Sequence, residues 1–128
     1  MALRDQLRVM VVDDMSVSRG LLLQALDQMG VANTDWRSDA ESALQAMMKS
    51  PSHLVISDYN MPGMDGLTFL RTLRGTKQTS KVGFILVTGS EDATLLAKGQ
   101  QFGLNNYLKK PFTPDSLRKC IEAVVGRL

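Results

Sequence analysis

Val9-Met10-Val11-Val12-Asp13-Asp14 joins four apolar residues directly to two acids. Three more runs end as abruptly. Leu54-Val55-Ile56-Ser57 stops at Asp58, Val82 to Val87 stops at the hydroxyl of Thr88, and Tyr107-Leu108-Lys109 leads into Lys110-Pro111. Short apolar runs rich in Val and Ile read as strands buried on both faces of a parallel sheet. Such strands all point one way, so their C-terminal ends gather at the edge where open α/β sheets bind ligands. Three carboxylates, a hydroxyl and an ammonium are therefore expected in one small pocket. These are the groups needed to hold a divalent cation and a phosphoryl group.

Helical patterns fill the gaps between the runs. A first strand, about Leu7 to Asp13, precedes a helix from Ser16 to Met29 that Gly30 ends, with Val17, Leu21, Leu22, Ala25, Leu26 and Met29 on its apolar face. Asn33 to Arg37 is polar enough to be an edge strand. Ser38 with Glu41 reads as a capping box for a helix through Ala40, Ala43, Leu44 and Met47, and Pro51 follows its end. The third strand, Leu54 to Asp58, passes through the loop Tyr59 to Met64 into a helix starting near Asp65-Gly66 and carrying Leu67, Leu70 and Leu73.

The fourth strand leads through Gly89-Ser90 to a helix with Leu95, Leu96 and Phe102, closed by Gly103. Gly99 inside it costs about 1 kcal/mol relative to Ala, which makes this helix the least secure element. After a fifth strand, about Leu104 to Leu108, Thr113-Pro114 caps a last helix striped with Leu117, Cys120, Ile121, Val124 and Val125. Five βα units with short connections predict an α/β fold, a five-stranded parallel sheet with helices on both faces. The expectation is one domain over residues 1–128, with nothing left for an output domain.

Composition narrows the function. A chain of 128 residues, 44% hydrophobic and 22% charged, is an ordinary globular domain. Its net charge of +2 and 15 scattered basic residues give no footprint for nucleic acid. The single cysteine, Cys120, excludes an internal disulfide and suits a reducing compartment. No signal-peptide core is present, and no apolar stretch approaches the roughly 18 residues that span a bilayer. The expected location is the cytoplasm.

Aspartates that close buried strands are costly unless something pairs with them. Two carboxylates about 4 Å apart repel by roughly 4 kcal/mol at an effective dielectric near 20. Asp13, Asp14 and Asp58 together favour a hard cation with oxygen ligands, and Mg²⁺ fits because it takes a few carboxylates and keeps exchangeable waters. Asp58 can then act as a nucleophile and form an aspartyl phosphate, with Thr88 and Lys110 donating to the phosphoryl oxygens.

Over about Leu7 to Val125 the chain resembles the receiver domains of two-component response regulators, most of all the single-domain chemotaxis regulators. The resemblance rests on Asp13-Asp14, on Asp58 followed by Met61-Pro62-Gly63-Met64-Asp65-Gly66, and on Thr88-Gly89, Tyr107 and Lys110-Pro111-Phe112 in one order and spacing. It implies a doubly wound, flavodoxin-like (CheY-like) sheet in strand order 2-1-3-4-5. It further implies that Asp58 is the phosphoacceptor. Asp14, Asp58 and the backbone carbonyl of Asn60 would be direct Mg²⁺ ligands, with Asp13 acting through water. Thr88 and Lys110 would sense the phosphate, and Tyr107 would move inward with Thr88 to alter the face of helix four, strand five and helix five. The implied phosphodonor is a sensor histidine kinase. Implied readers of the face are a flagellar motor switch protein or a phosphatase, in chemotaxis signalling. The protein would catalyse only its own phosphorylation and dephosphorylation.

Taken singly, each residue has a plainer reading. Asp13 or Asp14 can cap a helix, Lys109-Lys110 can be a solvated loop, Thr88 can merely end a strand, and Tyr107 can be a rim aromatic. Lone His53 makes no metal cluster, Trp36 reads as packing, and the eight methionines read as core filler. Three departures bear on a motor partner: acidic Glu91 and Asp92 open helix four, Ser90 stands where an acid is common, and Lys109 replaces an apolar residue. A phosphate sink that drains a kinase therefore stays open. A Mg²⁺-dependent aspartyl-phosphate phosphatase needs a second aspartate where Asn60 sits. A flavin carrier needs a Ser/Thr/Gly-rich phosphate loop after the first strand.

Overall fold

Alternation along the strands sorts the core into two layers. Val9, Val11, Leu54, Ile56, Ile85, Val87 and Leu108 face one side of the sheet, while Met10, Val12, Val55, Phe84 and Leu86 face the other. A sheet apolar on both faces must be covered twice, and the helices do so. The computed structural model describes residues 2–89 and 92–128. Its strands are β1 (Arg8–Val12), β2 (Asn33–Arg37), β3 (Leu54–Asp58), β4 (Gly83–Thr88) and β5 (Asn106–Lys109). They form one parallel sheet in the order β2-β1-β3-β4-β5, the expected doubly wound arrangement. Helices α1 (Ser16–Gln28) and α5 (Pro114–Val125) cover the first face; α2 (Ala40–Lys49), α3 (Gly66–Arg74) and α4 (Ala93–Gln101) cover the second. A single helical turn, Leu3–Gln6, precedes β1 and was not expected from the sequence.

Several local expectations are corrected. β1 is one residue shorter at each end than the expected Leu7 to Asp13, β4 begins one residue later than its apolar run, and β5 is shifted to Asn106–Lys109 because Leu104 instead packs against α4. Val17 and Leu21 are 74% and 53% exposed, not part of the α1 core face. That face is Leu22, Ala25 and Leu26, continued by Met29. Asp39, not Ser38, caps α2 by accepting from the Ser42 N–H at 2.7 Å. Gly99 also has a packing role. A Cβ there would lie 2.8 Å from Leu104 Cδ2, so glycine lets α4 approach the chain leading to β5. Methionine use is mixed: Met10, Met29, Met47 and Met61 are buried, whereas Met15 and Met48 are exposed. Ser90, Glu91 and Met1 lie outside the described residues, so the Ser90 and Glu91 departures are not addressed; Asp92 caps α4 by accepting from the Thr94 N–H at 2.8 Å.

At the N-terminal edge of the sheet, Arg74 clips α3 to the segments before β4 and β5. Its Nε and Nη2 donate to the Gly103 carbonyl at 3.2 and 3.0 Å, Nη1 to the Ser80 carbonyl at 3.2 Å, and Nη2 to Asn105 Oδ1 at 2.9 Å. His53 also lies at this edge, where its Nδ1 accepts from the Arg8 N–H at 3.0 Å. On the two outer strands, Asp35 Oδ1 accepts from the Trp36 N–H at 2.8 Å and Asn106 Oδ1 accepts from the Tyr107 N–H at 2.9 Å.

Candidate functional site

Register brings the polar strand ends together. Val12 pairs with Ser57, Asp58 with Val87, and Thr88 with Lys109. One step past Val12, Asp13 therefore stands beside Asp58, and the carboxylates of Asp13, Asp14 and Asp58 each place an oxygen within 4.8 Å of the others. Asp13, Asp58 and Thr88 are buried and Asp14 is partly so. The Lys110 N–H donates to the Thr88 carbonyl at 2.8 Å, which holds the chain so that Lys110 Nζ reaches 3.3 Å from Asp58 Oδ2. Five residues read from sequence as a pocket thus share one edge. Asn60 is exposed in the loop after β3, and Tyr107 on β5 is also exposed.

Asp58 is tightly constrained. The Tyr59 N–H is shared between Asp58 Oδ1 at 2.9 Å and the Val87 carbonyl at 3.0 Å. Below it, a Cβ on Gly66 would come within 2.5 Å of the Asp58 carbonyl oxygen and 3.0 Å of Tyr59 Cα, so only glycine lets α3 start there. Burial raises the Asp58 carboxyl above the usual carboxylate range; Lys110 pulls the other way, and Asp13 pushes it further up.

The acids have incomplete partners. Asp13 Oδ1 accepts from the Met15 N–H at 3.0 Å, but Asp13 Oδ2 and Asp14 Oδ1 are buried with no hydrogen bond. An orphaned buried oxygen is costly. Two of them beside a third carboxylate form an all-oxygen donor set that suits a hard divalent cation. The residues present fit such an ion.

Some participants escaped the sequence reading. Arg19 Nη1 donates to the Asp13 carbonyl at 3.0 Å, and its guanidinium lies 4.0 Å over the Trp36 ring. No periodicity or motif singled out Arg19, and Trp36 was read only as packing. Gly66 was visible as part of a motif, but its close approach was not. The exposed Val17 and Leu21 line an apolar groove with Met15, Pro111 and Phe112 beside Lys110.

Fold and site together define a signal-receiving module. Residues 9–122 match the response regulator receiver domain, and the chain belongs to that family. A Rhizobium etli protein named "Probable chemotaxis protein CheY" is 42% identical over 128 residues, covering 100% of this chain and 99% of the relative. The chemotaxis protein CheY of Pseudomonas aeruginosa is 30% identical over 122 residues, covering 95% of this chain and 98% of the relative. Among solved structures, the chemotaxis protein CheY4 of Vibrio cholerae superposes with a TM-score of 0.88 at 28% identity, covering 93% of this chain and 98% of that one. No described helix is long and apolar enough to cross a membrane.

Proposed function

We propose that this chain is a phosphorylation-controlled binding module of chemotaxis signalling, switched by phosphoryl transfer to Asp58 from a histidine kinase. The observation that carries this reading is Asp58 itself: a buried carboxylate 3.3 Å from the Lys110 ammonium, beside two acids with unpartnered oxygens. A carboxylate oxygen of Asp58 attacks the phosphorus of a phosphohistidine; the P–O bond forms as the P–N bond breaks and the imidazole leaves. Water later attacks the phosphorus and restores the carboxylate with release of inorganic phosphate. Asp13, Asp14, Asp58 and the Asn60 carbonyl are the groups that would hold Mg²⁺. When bound, Mg²⁺ supplies positive charge that offsets the clustered acids and the incoming phosphoryl oxygens. Lys110 neutralises charge on the acceptor side, and the Thr88 hydroxyl ends the neighbouring strand where a phosphoryl oxygen would need a donor. The protein turns over only its own phosphoryl group.

The relatives named as chemotaxis proteins support the pathway. The output would be the face of α4, β5 and α5, where Tyr107 stands exposed with Thr88 on the adjoining strand. Incubation with a phosphorylated kinase domain and Mg²⁺ should give an acid-stable, base-labile adduct on Asp58, detected by mass spectrometry. Asp58→Asn should give none, and an adduct persisting elsewhere in that variant would overturn the assignment. Pull-downs with and without beryllofluoride and Mg²⁺, offering flagellar switch protein and kinase side by side, would separate a motor messenger from a phosphate sink.

A further inference from the structure

The single tryptophan lies outside the acid cluster yet is tied to it through one side chain. Trp36, at the outer strand β2, is 46% exposed, and the Arg19 guanidinium stacks 4.0 Å above its ring. The same guanidinium donates through Nη1 to the Asp13 carbonyl at 3.0 Å. Asp13 is held twice more: its N–H donates to the Arg37 carbonyl at 3.2 Å, and its Oδ1 accepts from the Met15 N–H at 3.0 Å. With these three bonds made, Oδ2 is the Asp13 oxygen left without a partner.

A planar guanidinium can stack on an indole and still donate in its own plane to a carbonyl. A lysine ammonium would keep the charge, but it cannot stack as a plane while donating in that geometry. Among the described residues no ion pair joins Arg19 to Asp13 or Asp14. Its contact at the site is to backbone, so it orients the acids without directly capping their free oxygens.

We propose that Arg19, braced by Trp36, is a positioning residue that fixes the Asp13–Asp14 turn for binding a divalent cation. This rests on reading the acid cluster as a cation site, as above. Groups behind the direct ligands commonly set metal affinity by holding those ligands in place.

The test uses the full chain, MgCl₂ as probe, and isothermal titration calorimetry at low ionic strength, with circular dichroism to verify folding. Arg19→Lys and Trp36→Leu both preserve net charge, so Coulombic changes do not confuse the comparison; Trp36→Leu also keeps an apolar side chain on β2. Each should weaken Mg²⁺ binding by roughly two- to fivefold, the size of one half-exposed cation–π contact. The double variant should be no weaker than the worse single, because both changes break one brace. Trp36→Phe, which retains a π face, should recover most of the affinity. Single variants that bind like the wild type, or losses that multiply in the double variant, would overturn the positioning role alone. A wild-type protein that binds no Mg²⁺ would remove the cation site and this role with it.

Discussion

Two charged constellations sit at opposite edges of the same sheet, and they differ in completeness. At the N-terminal edge, burial pulls the Arg74 guanidinium below its ordinary value, yet its donors end on the carbonyls of Gly103 and Ser80 and on Asn105. At the C-terminal edge, burial raises Asp58, while Asp13 Oδ2 and Asp14 Oδ1 have nothing to accept from. Both edges bear the cost of withdrawing charge from water. One is completed by the chain and acts as a fastener; the other is left open for a group that the chain does not supply.

The contrast can be tested from its strongest consequence downward. Lys110→Ala should slow phosphoryl transfer to Asp58 by about a hundredfold or more, the usual cost of losing a charged donor at a developing anion. Rapid-quench kinetics with a phosphorylated kinase domain would show it, and an unchanged rate would remove Lys110 from the site. Arg74→Met should do the reverse, costing about 1–3 kcal/mol in urea denaturation because the hydrogen bonds from a charged donor to Gly103, Ser80 and Asn105 are lost, while phosphoryl transfer stays near the wild-type rate. If it slowed transfer as severely as Lys110→Ala, the two edges would not be separate in function.

Gly66→Ala should cost about 1–3 kcal/mol by overpacking against the Asp58 backbone, and it should slow phosphorylation as well as lower stability. The smallest effect has a distinctive sign. A carboxyl whose folded value is raised leaves stability intact below its unfolded value, about 3.9, and loses it as pH rises through the folded value. Asp58→Asn should therefore raise the urea midpoint at pH 7 without divalent cations, and the gain should fade as pH drops toward the unfolded value. A lower midpoint at pH 7 would mean that the Lys110 pair outweighs burial.

Much of this was legible in the chain itself, for definable reasons. β3 and β4 are buried throughout or nearly so, and β3 was placed residue for residue as Leu54 to Asp58. Asp13, Asp14, Asp58 and Thr88 were legible because each follows or ends a buried run, and Lys110 because it follows the short outer strand β5; parallel topology turns those sequence positions into proximity. Val17 and Leu21 were misread because helical spacing groups them with Leu22, Ala25 and Leu26 but does not reveal that their side of α1 is left uncovered. Arg74, and the Arg19–Trp36 brace, were invisible because their partners are separated along the chain and no periodic pattern encodes them. The propensity cost of Gly99 was legible, but the close approach of Leu104 that favours glycine there was not.

The outer strands β2 and β5 carry one last implication. Asp35 and Asn106 each occupy the N–H of the residue that follows, Trp36 and Tyr107. A sheet ending in free main-chain donors invites another copy to add its own strand, and so to polymerise. With those two donors already satisfied, crowded molecules lose a foothold for ribbon growth at either margin.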